Sequence, residues 1–339
     1  MIERLIKNEI SLKRYRIFKR NKIAVFSLIL FLLFNFFSFT AEIWANNKPL
    51  IMSYREKIYF PVLFSYHPEE FGIKDTLIVD YRSLNFSDRD WSLWPIIKWN
   101  PFEKNEIVES YPSPPSGHNF FGTDDRGRDV FTRLLYGLRY SMIYALLVWA
   151  FSFALGTMAG GIMGYFGGRI DFWGQRAVEV LTSVPQFFLL LIIISIFRPN
   201  LFWLILVSCL FGWISISYYS RGEFLKNRKR EYVEAAKSIG VKRWKIITYH
   251  ILPNSLTPLI TFTPFVIATN ITALASLDYL GFGLEIPTPS WGELLGQAQK
   301  NFTIAWWLAF YPALALFLTL TMLNLVGDGL RDAMDPHKT

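Results

Sequence analysis

The residue types that could carry out chemistry are few and dispersed. The chain has four histidines and one cysteine. His67, His118, His250 and His337 are scattered and show no metal-ligand spacing. Cys209, standing alone, excludes an intramolecular disulfide framework and a multi-cysteine metal site. No G-x-x-x-x-G-K-[ST] stretch is present to cradle nucleotide phosphates, and neither H-E-x-x-H nor G-x-S-x-G occurs. The sequence therefore predicts no catalytic constellation, no cofactor and no metal. His118, close to Ser116, reads as a surface-loop residue, and His250 as a helix-end residue near the membrane interface.

The elements that must position any functional residue are membrane spans. Of the 339 residues, 52% are hydrophobic and 18% charged, and the 31 Phe and 12 Trp are too many for an ordinary soluble core. A helix rises about 1.5 Å per residue, so a hydrocarbon core of about 30 Å requires about 20 mostly apolar residues. Stretches 23–43, 140–166, 177–197, 201–219, 256–277 and 305–326 meet that length, which predicts six spans. The first has a long basic leader and no clear cleavage site, so it reads as an uncleaved anchor.

Lys and Arg set the orientation. Arg4, Lys7, Lys13, Arg14, Arg16, Lys19, Arg20 and Lys22 place the amino terminus on the cytoplasmic side. Six crossings then put 167–176, 220–255 and the tail inside, and the cations from Arg221 to Lys245 crowd the second of these loops. The expected layout is a leader at 1–22, a first span at 23–43, an extracytoplasmic insert at 44–139, a core at 140–327 and a cytoplasmic tail at 328–339. The net charge of +8 belongs mostly to the leader and the 220–255 loop, which points to membrane orientation and away from nucleic acid. Near the end of the insert, Phe131, Leu134, Leu135 and Leu138 share one helical face and predict a helix on the outer membrane surface.

No ionisable side chain falls in the middle of a span, which argues against a self-sufficient proton- or ion-coupled carrier. The polar residues left inside include Gln186, Asn270, Thr272 and Asn324, which either bond helix to helix or, for the first three, touch a solute on its path. Gly156, Gly160 and Gly164 recur every fourth residue and predict close helix contact. Pro185, Pro258, Pro264 and Pro312 predict kinks, which suit a moving gate.

The most informative stretch is 231–254. Tyr232 to Ile239 reads as a short helix in which small Ala235 and Ala236 permit close approach by another surface. Gly240 reads as a left-handed stop, and 242–252 as a second helix ended by Pro253. Such a knuckle could transmit force from a soluble partner; otherwise it is a solvated basic loop.

Glu234, Ala235 and Ala236, followed by Gly240 and then Ile251, Leu252 and Pro253, resemble the EAA loop of binding-protein-dependent ABC importer permeases. The segments 121–129, 164–171, 280–283, 289–295 and 324–336 accompany it in order. Together they resemble the C-type permease subunit of the dipeptide and oligopeptide importers over nearly the whole chain. Asn46 to Leu50, Tyr59 to Pro61 and the long insert resemble the Yej-type subgroup associated with peptides and microcin C.

The resemblance implies an all-α polytopic membrane protein of the bacterial inner membrane, with six transmembrane helices, a cytoplasmic coupling loop and a periplasmic insert between helices 1 and 2. It also implies a homologous second permease, two ABC ATPases or one fused ATPase, and an external solute-binding protein. The implied ATPase-coupling residues are Tyr232, Glu234, Ala235, Ala236, Ile239 and Gly240. Relatives of similar sequence move nickel, glutathione or opines, so the solute stays open. The sequence departs from the family at Asp278, where Ser is usual, and at Leu274, where an acid is frequent. Asp278 is then either a polar group at the outer mouth or a helix-end residue. A stand-alone channel would not explain the knuckle, and a membrane hydrolase lacks a nucleophile and base.

Overall fold

A computed structural model describes residues 9–73, 77–196 and 200–335. Arg4, Lys7 and His337 lie outside the described residues, as does the Phe197 end of the third expected span. Helices dominate: α1 (Glu9–Arg20), α2 (Lys22–Phe39), α3 (Ala41–Trp44), α4 (Val130–Phe166), α5 (Gly168–Thr182), α6 (Gln186–Ile196) and α7 (Leu201–Asn227). They continue as α8 (Glu231–Ser238), α9 (Arg243–Lys245), a π-helical turn (Ile246–Ile251), α10 (Leu252–Thr261), α11 (Thr263–Tyr279), α12 (Trp291–Lys300) and α13 (Trp306–Met334). Four helices, α2, α4, α7 and α13, are long and apolar enough to cross a membrane. The number rises to six when each of two bent pairs is one span: α5 with α6, bent by 71°, and Arg243–Thr261 with α11, bent by 53°.

The sequence expectations are met unevenly. The surface helix expected near 129–138 is not a separate element, because those residues are the first turns of the uninterrupted 37-residue α4. No proline or cap residue interrupts it, so helix propagation carries straight through. Pro185 sits at the sharper bend and Pro264 in the first turn after the shallower one. Pro258 and Pro312 lie inside α10 and α13. Pro253 does not end a helix; it stands in the first turn of α10, which continues directly from the π-helical turn.

The chain forms two compact units. The first comprises Met1–Leu32, Ser141–Glu285 and Leu316–Thr339. Its apolar centre gathers Tyr144, Val148, Leu190, Ile194, Leu204, Val207, Leu274 and Leu277. Here the glycine repeat finds its partner. A Cβ at Gly156, Gly160 or Gly164 would stand 2.6, 2.2 or 2.6 Å from the carbonyl oxygens of Trp213, Ser217 and Arg221, which also recur every fourth residue on α7. Only hydrogen at these positions lets the two backbones meet. Gly160→Ala is accordingly expected to cost about 1–3 kcal/mol and to reduce the monodisperse fraction in size-exclusion chromatography. Gly222→Ala, with nothing within 4 Å, should leave that fraction unchanged; equal behaviour of the two variants would refute the close-contact account. At the end of α11, Asp278 Oδ1 accepts the Leu284 N–H at 2.6 Å, which makes Asp278 a helix-end residue that ties down the following turn.

The second unit comprises Leu33–Tyr140 and Ile286–Ala315. It carries a three-stranded antiparallel sheet of β1 (Ile51–Tyr54), β2 (Lys57–Tyr59) and β3 (Trp91–Leu93), in the order β2-β1-β3. Arg55 and Glu56, both with positive φ, form the hairpin turn. Beside Met52, Tyr54 and Tyr59, a small core takes in Phe71, Val79 and Tyr81. Asp129 caps α4 by accepting the Thr132 N–H at 2.8 Å. Burial pushes its carboxyl above the usual carboxylate range, against hydrogen bonds from Asn119 and Thr132 that pull it down.

Two sequence segments about 160 residues apart meet in this unit. Arg128 donates to Asp124 at 2.7 Å and to Glu293 at 3.0 Å. Arg133, fully buried, donates to Glu293 and lies 3.4 Å from Asp124. Trp291 donates its indole N–H to the Leu134 carbonyl at 2.8 Å, on the face where Gly137 leaves room for the ring. The 121–129 and 289–295 segments are therefore two halves of one buried ionic cluster.

Candidate coupling site

The knuckle is built on α7, which runs two turns past its apolar stretch to Asn227. Arg228 holds the start of the loop by donating to the carbonyls of Gly164 and Tyr165, both at 3.1 Å. Arg221, one helical face earlier, donates to Asp171 at 2.7 Å. Glu231 and Glu234 in the first turn of α8, with Lys237 in the last, suit the helix dipole.

A short helix needs tertiary support, and α8 obtains it from one face. Val233 and Ala236, three residues apart, are buried with Phe224, Ile246 and Ile251. Tyr232 adds a polar anchor: its hydroxyl donates to Asn227 Oδ1 at 3.2 Å, and Asn227 in turn donates to Ser255 Oγ at 3.1 Å. The opposite face carries Glu234, Ala235 and Ile239, all exposed, with Ile239 81% exposed. Trp244 and Tyr249, 72% and 75% exposed, lie in the segments that follow.

Gly240 has φ +77°, the left-handed conformation that its place in the sequence predicts. Its N–H donates to the Lys237 carbonyl and the Val241 N–H to the Ala236 carbonyl, each at 3.0 Å. This pair of bonds is a Schellman cap. The chain then passes into the π-helical turn Ile246–Ile251 instead of the regular second helix expected at 242–252. Such wide turns occur often at functional positions.

The six loop residues expected to act together divide between two faces. Glu234, Ala235 and Ile239 are available to a partner, with Gly240 exposed beside them. Ala236 faces the chain's own Phe224 and is closed to any other surface, and Tyr232 anchors α8 to α7. A period of three to four applied to Val233 and Ala236 could have identified that inner face. The seats provided by Asn227 and Ser255 left no such signal, because single polar residues at helix ends are common in any sequence.

Two of the three expected path residues are engaged in hydrogen bonds of their own. Asn270 donates to the Ala145 carbonyl at 3.1 Å, a helix-to-helix hydrogen bond. Thr272, although exposed, donates back to the Ala268 carbonyl of its own helix at 2.9 Å. Gln186 is half-buried in the first turn of α6, next to the sharper bend.

Residues 156–339 match the family model described as binding-protein-dependent transport system inner membrane component. The chain is 39% identical, over 96% of each chain, to the inner membrane ABC transporter permease protein YejE of Escherichia coli (strain K12). It is 37% identical to the peptidoglycan transport system permease protein YejE of Agrobacterium fabrum, covering 96% of this chain and 93% of that one. A chain of the inward-facing MetNI methionine ABC transporter shares the fold, with a TM-score of 0.51 and 16% identity over 60% of this chain and 97% of that one. A polytopic helical chain with a capped knuckle and these relatives belongs to the binding-protein-dependent transport system inner membrane components, the permease subunits of ABC importers.

Proposed function

We propose that this subunit forms half of a translocation path for oligopeptides or peptide-like solutes and is driven by separate ATPase subunits that engage α8. The observation that carries this reading is the two-faced construction of α8. Its inner face is fastened to α7 and α10, while Glu234, Ala235 and Ile239 project outward. Closure of the ATPases moves the knuckle, and the bent spans switch access from one side to the other. The second half of the path belongs to a homologous permease, and an external solute-binding protein delivers the solute. The chain itself hydrolyses nothing. Both termini and the 220–255 loop lie in the cytoplasm, consistent with their cations, and the 44–139 insert lies outside. The peptide-like solute follows from the motif resemblance; the Agrobacterium relative is described as transporting peptidoglycan.

The test is uptake of labelled oligopeptides by proteoliposomes holding the whole transporter and its binding protein. Expected is uptake that requires ATP, is competed by unlabelled peptide and ignores nickel. Replacing Ala235 by Trp on the outer face of α8 should abolish peptide-stimulated ATP hydrolysis while the permease still inserts in the membrane. Uptake without ATP, or competition by nickel alone, would overturn the assignment.

A further inference from the structure

The first unit contains a cavity of about 900 Å³ beside the seat of α8, with Asn227, Tyr232 and Asn254 in its wall. Arg14 of α1, Lys226 at the end of α7, and Lys229 and Arg230 in the following turn all line it. Glu223 and Glu231 are the acids in the same wall. Neighbouring cations have structural work, since Arg221 pairs with Asp171 and Arg228 holds two backbone carbonyls. Among the described residues, none of the four cavity cations forms an ion pair, and Arg14 Nε is buried without a hydrogen-bond partner. Four cations facing two carboxylates hold an excess of positive charge that an anion would neutralise.

The position of the cavity indicates which anion. Arg14 precedes the candidate span α2 by two turns, and Lys226 to Arg230 close the candidate span α7. Phosphate groups of acidic lipids are concentrated at that level, and basic pockets between spans bind them. Thr257, Pro258 and Met334 add a wall of low charge beside the cations. We propose that this cavity is a binding site for a phosphate-bearing anion, either the headgroup of an acidic phospholipid or a soluble phosphate. An anion there bridges α1 to Arg230, Glu231 and Tyr232, where α8 begins, and so stiffens the seat of the knuckle.

The readout is bound phosphate, so the outcome does not depend on whether α8 docks an ATPase. The whole transporter, in nanodiscs of phosphatidylcholine, is titrated with phosphatidylglycerol and separately with inorganic phosphate, and native mass spectrometry counts what each complex retains. Expected is saturable binding whose Kd rises about tenfold in Arg14→Gln/Arg230→Gln and severalfold in Lys229→Gln alone. Lys242→Gln/Lys245→Gln, on the same loop but away from the cavity, should leave Kd within about twofold. Variant-sensitive retention of phosphatidylglycerol identifies a lipid headgroup, and variant-sensitive retention of inorganic phosphate alone identifies a soluble ligand. Equal Kd in all variants overturns the proposal. It is likewise overturned if the cavity variants shed their ATPase subunits with phosphate binding unchanged, because the cations would then belong to that interface.

Discussion

Arg133→Met is expected to destabilise the unit formed by 33–140 and 286–315 by about 3–5 kcal/mol, the usual cost of stranding a buried charge. Arg133 is the largest fully buried side chain in the molecule among those described. It donates to Glu293 and to the carbonyls of Pro101 at 3.0 Å and Pro287 at 3.2 Å, and it stands 3.4 Å from Asp124. Methionine keeps much of the stem volume, so the loss comes from electrostatics and orphaned acceptors more than from a cavity. Arg128 still neutralises part of the cluster through its bonds to Asp124 and Glu293, which keeps the cost below complete unfolding. Adding Glu293→Gln to Arg133→Met removes the stranded charge and should recover part of the loss. Thermal unfolding of the purified transporter, followed by tryptophan fluorescence, measures both effects. If the single variant unfolds like the parent, or if the second change only adds to the damage, the cluster is not held by this pairing.

Gly240→Val is expected to lower coupled uptake about five- to thirtyfold while leaving membrane insertion intact. An L-residue in the left-handed conformation costs about 1–2 kcal/mol, and β-branched valine suits it least. No heavy atom lies within 4 Å of the Cβ that would be added, so the penalty is conformational and not steric. It falls on the Schellman bonds from Gly240 and Val241 that end α8. If coupling requires the capped helix, uptake per ATP hydrolysed falls by the factor that the backbone penalty sets. The series Gly240→Asn, Gly240→Ala, Gly240→Val should lose activity in that order, because Asn tolerates the conformation best. Uptake and solute-stimulated hydrolysis that survive in the Val variant, or an Asn variant as defective as Val, would remove Gly240 from the coupling mechanism.

The spans and the knuckle were legible because their physics is local. Membrane helices satisfy their own backbone hydrogen bonds, so an apolar run of bilayer length carries its structure with it. Gly240 was legible for the same reason, since a left-handed helix stop depends on a few neighbouring residues. The repeat at Gly156, Gly160 and Gly164 announced a close contact, yet α7 as the partner, with Trp213, Ser217 and Arg221 in register, did not appear in the sequence.

Readings that depended on faces and ends were weaker. Ala236 resembled its neighbour Ala235 as a docking residue, but it is turned toward Phe224. Asp129 to Leu138 has the pattern of a surface helix, and continuity with the next span decided otherwise. The three-stranded sheet leaves no periodic signal because its strands are only three or four residues long, too short for alternation to show.

By itself, the sequence determined where the chain is apolar enough to enter a membrane, which way its cations bias it, and where a loop is capped. All of these follow from transfer free energy and from backbone preference along a few consecutive residues. The tertiary structure alone decided what meets across the chain: Asp124 and Arg133 with Glu293, the glycine face with the α7 carbonyls, and the four cations around one cavity. Electrostatics and packing act through space, and no spacing along the chain records a neighbour about 160 residues away.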